Sequence, residues 1–360
     1  MSISENDLEA VLDKVGLEFP EDILCRSEYE LANSLKISEE RIRHLKAKAA
    51  ASVYPWKEKY KCASDLFELT DKPEHISLGD VVLDRVLGGG VLTGGITEVV
   101  GQSSSGKTQL LMQLLLRAQL PTTSGGLNGE VAYIYSEGKL PIVRLQQLIS
   151  SYTNNYPDII DADKAWKSIY TIQLQTTDAQ HTILAYQLPV MLEKHPNIRL
   201  VVIDSIAALY RGEDYDLDDN GRLAKAAEVC DLGIRLKRLA DQHNVAVVVA
   251  NQVTDDIGLS NDRVQSLDEL KKKHWKWTSA PMYSSTADEC ELDIVAFAES
   301  LCKRPALGLT WANSVNCRIR LARSSLIDEK TRRVLFLEFA PHTERKGAYI
   351  EIDNNGIRSL

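Results

Sequence analysis

The octapeptide Gly101-Gln102-Ser103-Ser104-Ser105-Gly106-Lys107-Thr108 has the spacing G-x-x-x-x-G-K-[ST], and its flanks make that spacing informative. The run Ile96-Thr97-Glu98-Val99-Val100 before it reads as a strand, and Gln109 to Ala118 after it reads as a helix. A chain that passes from a strand through a glycine-rich turn straight into a helix is committed to an α/β architecture. In that geometry the backbone N–H groups of the turn can wrap phosphates, and the helix N-terminus adds its positive dipole end. Lys107 would reach the β- and γ-phosphates, and the Thr108 hydroxyl would ligate Mg²⁺. The loop implies nucleotide binding and leaves the use of the nucleotide open.

The chain has 360 residues, enough for one large α/β domain and a small one. A net charge of −9 argues against a uniformly basic nucleic-acid coat and leaves room for a local basic patch. The six cysteines (Cys25, Cys62, Cys230, Cys290, Cys302 and Cys317) form no C-x-x-C pair, which predicts free thiols rather than disulfides or a zinc site. No apolar run approaches the ~18 residues of a membrane helix. The acidic, polar N-terminus has the pattern of neither a secretory signal nor a presequence. These features predict a soluble intracellular protein without membrane contact.

Residues 1–54 predict a small helical lobe. Leu8, Val11, Leu12 and Val15 recur at helical spacing, Ser27 begins a Ser-x-x-Glu cap before Leu31 and Leu35, and Ser38 can cap a third helix. Residues 55–75 have the composition of a linker. From residue 76 to 360 apolar strands alternate with helices, the pattern of a mostly parallel sheet covered on both faces. Strands are expected at Ile96–Val100, Val131–Ser136, Leu200–Asp204 and Val245–Asn251, with helices at about 139–152, 178–195 and 221–243. Three closely spaced strands follow, Cys317–Arg323, Val334–Phe339 and Tyr349–Ile352. With the turn signal Asn355-Gly356, they predict an antiparallel extension. The polar stretch 254–308 interrupts this order and reads as a long loop insertion.

Other strand ends carry chemistry. Leu200-Val201-Val202-Ile203-Asp204 is an apolar strand ending in a carboxylate that can support Mg²⁺. Glu137 ends another strand, either as the base that orients or deprotonates water or as a simple strand-end acid. Gln252 ends a third, as a γ-phosphate sensor or as a turn-capping amide. The segment Lys271-Lys272-Lys273-His274-Trp275-Lys276-Trp277 interleaves cations with indoles. That pattern suits single-stranded nucleic acid, a solvated charge run with its tryptophans tucked onto the domain surface, or a partner-binding segment.

Taken together, Gly94-Gly95-Ile96-Thr97-Glu98, the phosphate loop through Gln109-Leu110, Tyr135-Ser136-Glu137-Gly138, Asp204 to Arg211 and Val249 to Val253 closely resemble the RecA/RadA-type recombinase family of eukaryotes and archaea. The resemblance covers about residues 5–253 and 305–360 and implies a RecA-type ATPase core behind a helical lobe. It assigns ATP and Mg²⁺ as cofactors, with residues Gly101 to Gln109 holding the nucleotide. It makes Glu137 the catalytic acid–base group, Asp204 and Thr108 the Mg²⁺ supports, and Gln252 the γ-phosphate sensor. A linker motif of the family docks into the next subunit. Here Tyr60-Lys61-Cys62-Ala63 stands in that place, so Tyr60 and Ala63 either dock on a neighbour or pack on their own domain. Pro341 resembles the family proline that caps ATP from the adjacent subunit.

Departures point to a branch of that family. Ser104 or a neighbour replaces the loop arginine that recombinases stack on adenine. The segment after Arg211 contains Glu213, Asp214, Asp216, Asp218 and Asp219, whose charge repels phosphate. Arg222, just beyond, matches a DNA-contacting arginine in acidic surroundings. Lys36 stands where the lobe's hairpin usually has glycine. Arg304 to Asn313 resembles the mediator paralogues of the X-ray-repair cross-complementing group. The resemblance thus implies a nuclear ATP-binding recombinase paralogue. It would pair with a second paralogue and help the main recombinase assemble on single-stranded DNA in homologous-recombination repair. Weak DNA-dependent ATPase activity is expected, with ATP serving chiefly as a structural ligand. The alternatives are a strand-exchange recombinase in its own right and a P-loop kinase of another class.

Overall fold

The computed structural model describes residues 20–54, 64, 74–210, 219–254, 272, 275–285, 290–324 and 331–360. The chain divides into two units, Met1–Lys72 and Pro73–Leu360. In the first, the described helices are Pro20–Cys25, Glu28–Leu35 and Glu39–Val53. Ser27 starts the second with a reciprocal cap: its hydroxyl accepts from Glu30 N, and the Glu30 carboxylate accepts from Ser27 N. Lys36 ends that helix at φ 53°, a left-handed conformation that a glycine adopts without a Cβ clash. Ser38 stands at the N-cap of the third helix but makes no side-chain cap. Ile23, Leu31, Ile42, Leu45 and Ala49 form the small core.

The second unit carries fourteen described strands. They are β1 (His75–Ile76), β2 (Val91–Leu92), β3 (Gly95–Val100), β4 (Glu130–Tyr135), β5 (Ile169–Gln173), β6 (Ile198–Asp204) and β7 (Ala246–Asn251). The rest are β8 (Val253–Thr254), β9 (Met282–Tyr283), β10 (Arg304–Pro305), β11 (Cys317–Arg323), β12 (Arg333–Phe339), β13 (Lys346–Asp353) and β14 (Gly356–Ser359). The large sheet has the order β14-β13-β12-β11-β3-β7-β6-β4-β5, with β9 beside β13. From β11 through β3, β7, β6 and β4 to β5 every pairing is parallel. Pairings from β11 to β14 are antiparallel. The expected mixed sheet is therefore present, with the Asn355-Gly356 turn joining its last two strands.

Alternation along the strands builds a core on each face, because successive side chains point to opposite sides. Val131, Tyr133, Leu200, Val202, Ala246 and Val248 join one cluster with Leu110, Leu111, Leu114 and Leu115 of the helix Lys107–Arg117. Their neighbours Ala132, Ile134, Val201, Ile203, Val247 and Val249 join the other, with Val229, Leu232, Leu236 and Leu239 of the helix Asp219–Gln242. The strand ends that face the phosphate loop are thus anchored from both sides.

Two features depart from the sequence expectation. An edge strand, β5, lies outside β4, and its half-exposed pattern offers too little apolar periodicity to stand out. The stretch 254–308 is not uniformly a loop. Its described part holds the helices Trp275–Thr278 and Ile294–Cys302. Trp277, Met282, Ile294, Phe297 and Leu301 pack there on Ala322, Val334 and Phe336 of the antiparallel strands.

Candidate nucleotide site

The loop after β3 takes its shape from two local constraints. Gly106 sits at φ 113°, open to glycine and strained for other residues. Gly101 lies so close to β11 that an added Cβ would be 2.4 Å from Leu321 O and 2.5 Å from Ser105 Oγ. Ser105 is fully buried, and its hydroxyl oxygen has no hydrogen-bond partner. The helix Lys107–Arg117 begins at the loop's end, so its first N–H groups face the turn unpaired within the helix. Lys107 Nζ spans the loop, donating to Gly101 O at 2.7 Å and Gln102 O at 3.1 Å.

The end of β6 brings Asp204 against this loop. The Thr108 hydroxyl donates to Asp204 Oδ2 at 2.8 Å, and the Tyr133 hydroxyl donates to the same oxygen at 3.0 Å. Burial and then the Asp204 charge push the Tyr133 phenol far above its ordinary range, so it remains a donor. At the neighbouring strand ends, Gln252 Nε2 donates to Glu137 Oε1 at 2.6 Å. Lys107, Thr108, Glu137, Asp204 and Gln252 are thus gathered along one edge of the parallel strands, where open α/β sheets bind ligands. A cavity of about 590 Å³ opens beside Ser104, Gly106, Lys107, Thr108 and Gln109. Gln102 and Ser103 line a second opening together with Gly101 and Gln252.

The residue set fits a triphosphate and its cation. The cradle leaves no room for a Cβ at Gly101, and it holds an unpartnered hydroxyl at Ser105. A hydroxyl and a carboxylate, Thr108 and Asp204, are the hard oxygen donors that Mg²⁺ prefers. No group of three or more metal-ligating side chains occurs among the described residues. Mg²⁺ commonly takes only one or two protein carboxylates along with phosphate and water.

Several contacts around the site were not read from the sequence. Tyr133 is one. Arg144 is another, donating to Gln109 Oε1 at 2.7 Å and to Asp353 O at 2.6 Å, so it ties the loop helix to the end of β13. Beside the end of β7 lies Glu98, fully buried in β3. It accepts from Asn251 Nδ2 at 2.6 Å, Trp311 Nε1 at 2.9 Å and Arg318 Nε at 2.5 Å. Asn251 immediately precedes Gln252, and Gln252 O accepts from Ala306 N. A charged residue inside an otherwise apolar strand was the available signal for this hub.

Of the three readings of the segment 271–277, nucleic-acid contact fails at Trp277, where the tucked-tryptophan reading holds. Its side chain is 1 % exposed and packs on Phe336 at 5.2 Å between ring centroids, with Lys276 and Arg320 also against the ring. A base cannot stack on that indole. Lys272 is exposed; Lys271, Lys273 and the Trp275 side chain lie outside the described residues. Arg222 is exposed near the start of the helix Asp219–Gln242. Tyr60, Ala63 and the acidic residues Glu213, Asp214, Asp216 and Asp218 also lie outside the described residues.

Fold and site together define a RecA-type phosphate-loop protein. Residues 72–272 match the Rad51 family. The DNA repair protein rhp57 of Schizosaccharomyces pombe is 32% identical over 302 residues, covering 79% of this chain and 79% of that protein. The DNA repair protein XRCC3 of Mus musculus is 30% identical over 378 aligned positions, covering 100% of this chain and 98% of that protein. The DNA repair and recombination protein RadA of Aeropyrum pernix is 35% identical over 195 residues, covering 54% of this chain and 58% of that protein. The chain belongs to the Rad51 family, whose members are nucleotide-binding proteins.

Proposed function

We propose that this protein is an ATP-binding recombinase paralogue of DNA repair. In this reading it acts in the nucleus, joined to a second paralogue, and promotes assembly or stability of the main recombinase on single-stranded DNA. The observation that carries the nucleotide part is the convergence of Lys107, Thr108, Asp204, Glu137 and Gln252 around one loop. Similarity along the whole chain to a protein named for DNA repair supports the cellular role. No described helix is long and apolar enough to cross a membrane.

The residues divide the work. Residues Gly101 to Gln109 hold the phosphates through backbone N–H groups, with Lys107 adding a charge-assisted contact. Thr108 and Asp204 supply oxygen donors to Mg²⁺. ATP, when bound, supplies the phosphoanhydride and the negative charge that these groups recognise. Glu137, exposed and held by the Gln252 amide, is placed to take a proton from water. Gln252 also accepts, through its own carbonyl, from Ala306 N, so a shift of its amide is felt at the C-terminal end of the 254–308 stretch.

The test is titration with a fluorescent ATP analogue. Lys107→Ala should weaken binding roughly ten- to a hundredfold, the effect of losing a charge-assisted contact of about 1.5–3 kcal/mol. Unchanged affinity would show that the loop is not the site.

A further inference from the structure

Two arginines at the end of the β11–β12 pair each leave a buried Nε atom without a hydrogen-bond partner among the described residues. Arg323 and Arg333 face each other directly across the antiparallel pair. Both are only partly exposed, and the Nε atom of each is sealed from solvent without a hydrogen-bond partner. Like charges opposite one another in a sheet destabilise it, and burial enlarges the effect. Burial and then the Arg323 charge hold the Arg333 guanidinium below its ordinary range.

The pair flanks the phosphate loop. Arg333 lines the cavity that also exposes Ser104, Lys107 and Thr108. Arg323 lines the opening beside Gly101, Gln102 and Ser103, together with Lys303. Among the described residues that line these openings, the carboxylates Asp353 and Glu299 already have partners. Asp353 accepts from Asn355 N and Gly356 N and lies 3.6 Å from Arg358. Glu299 faces Lys303 at 3.8 Å.

We propose that Arg333, backed by Arg323, is a second cationic binding element for the phosphates of the nucleotide held by residues 101–108. The inference rests on the nucleotide reading above and extends it. An anion beside the guanidinium groups supplies opposite charge and screens their mutual repulsion. Nucleotide occupancy thereby relieves a strain located at the junction of the parallel and antiparallel halves of the sheet. Binding at the loop is in this way coupled to the packing of β11 on β12, through charge alone and without a moving domain.

Thermal melting and nucleotide titration of the full chain, with and without Mg²⁺–ATP, test this. Parent, Arg323→Gln, Arg333→Gln and Lys107→Ala are compared. Arg333→Gln should leave the ligand-free melting temperature unchanged or higher, because one of two like charges is gone. It should also shrink the ATP-induced shift and weaken ATP binding by about tenfold or more. Arg323→Gln should likewise spare or raise ligand-free stability, with a smaller loss of affinity. A merely structural role would lower the ligand-free melting temperature and leave the ATP-induced shift intact, and that result overturns the proposal. If Arg333→Gln keeps full ATP affinity but loses binding to a single-stranded oligonucleotide, the pair serves nucleic acid and the proposal is also wrong. Failure of the underlying nucleotide reading looks different: the parent itself shows no ATP-induced shift, or Lys107→Ala keeps it.

Discussion

At the scale of single residues, this protein concentrates its buried charge beside the strand ends that build the site. Glu98 is surrounded by three donors and fixes Asn251, the neighbour of the sensor candidate Gln252. Removing one member of such a buried set leaves an uncompensated charge and costs roughly 3–5 kcal/mol. Glu338 is another buried carboxylate. Burial pushes its carboxyl up, but Arg320, Lys276 and Arg318 outweigh that and hold it below the usual carboxylate range. Because the folded value is depressed, the contribution of Glu338 to stability is full above its unfolded value of about 4.3. It is lost as pH falls through the folded value. Acid-unfolding curves of Glu338→Gln should therefore show a shallower loss of stability below about pH 4 than the parent. An unchanged acid limb would mean that Glu338 is not ion-paired in solution. The sequence signalled these residues only as charges in apolar strands. Which cations they meet depends on strands far apart in the chain.

At the scale of elements, the phosphate loop is shaped by its neighbours as much as by its own glycines. The strand, loop and helix were legible because their periodicities change abruptly at Gly101 and Lys107. The need for glycine at 101 was not legible as packing. It comes from Leu321 O of β11, a strand that arrives more than two hundred residues later. Gly101→Ala should displace the loop from β11, since neither a backbone carbonyl nor a buried seryl can retreat far. The expected outcome is loss of ATP-analogue binding with a destabilisation of about 1–3 kcal/mol, the range for overpacking. Binding at parental affinity in a folded Gly101→Ala protein would show that the loop tolerates that displacement. The edge strand β5 escaped the sequence, and the packing of Trp277 stayed one of three open readings, for a related reason. A half-exposed strand and an isolated indole have no period of their own, and tertiary contacts alone assign them.

At the scale of the whole molecule, the proposed role requires association with other subunits. Tyr60 and Ala63 precede the second unit, which begins at Pro73. If they dock on a neighbour, Tyr60→Ala should shift size-exclusion profiles toward smaller species, as loss of an aromatic anchor worth ~2 kcal/mol or more would do. The melting temperature of the isolated chain should stay unchanged. A lower melting temperature with unaltered association would instead assign Tyr60 to packing within its own chain. The sequence by itself determined the α/β class, the mixed sheet, the phosphate loop and the family, because each is written in local periodicity or in short motifs of fixed spacing. Only the tertiary structure decided that Asp204 meets Thr108, that Gln252 holds Glu137 and that Glu98 anchors the strand behind them. It alone decided that Trp277 is core and that Arg323 faces Arg333. Those facts are distances between segments remote in the chain, and they are set by strand order and register, which local sequence does not encode.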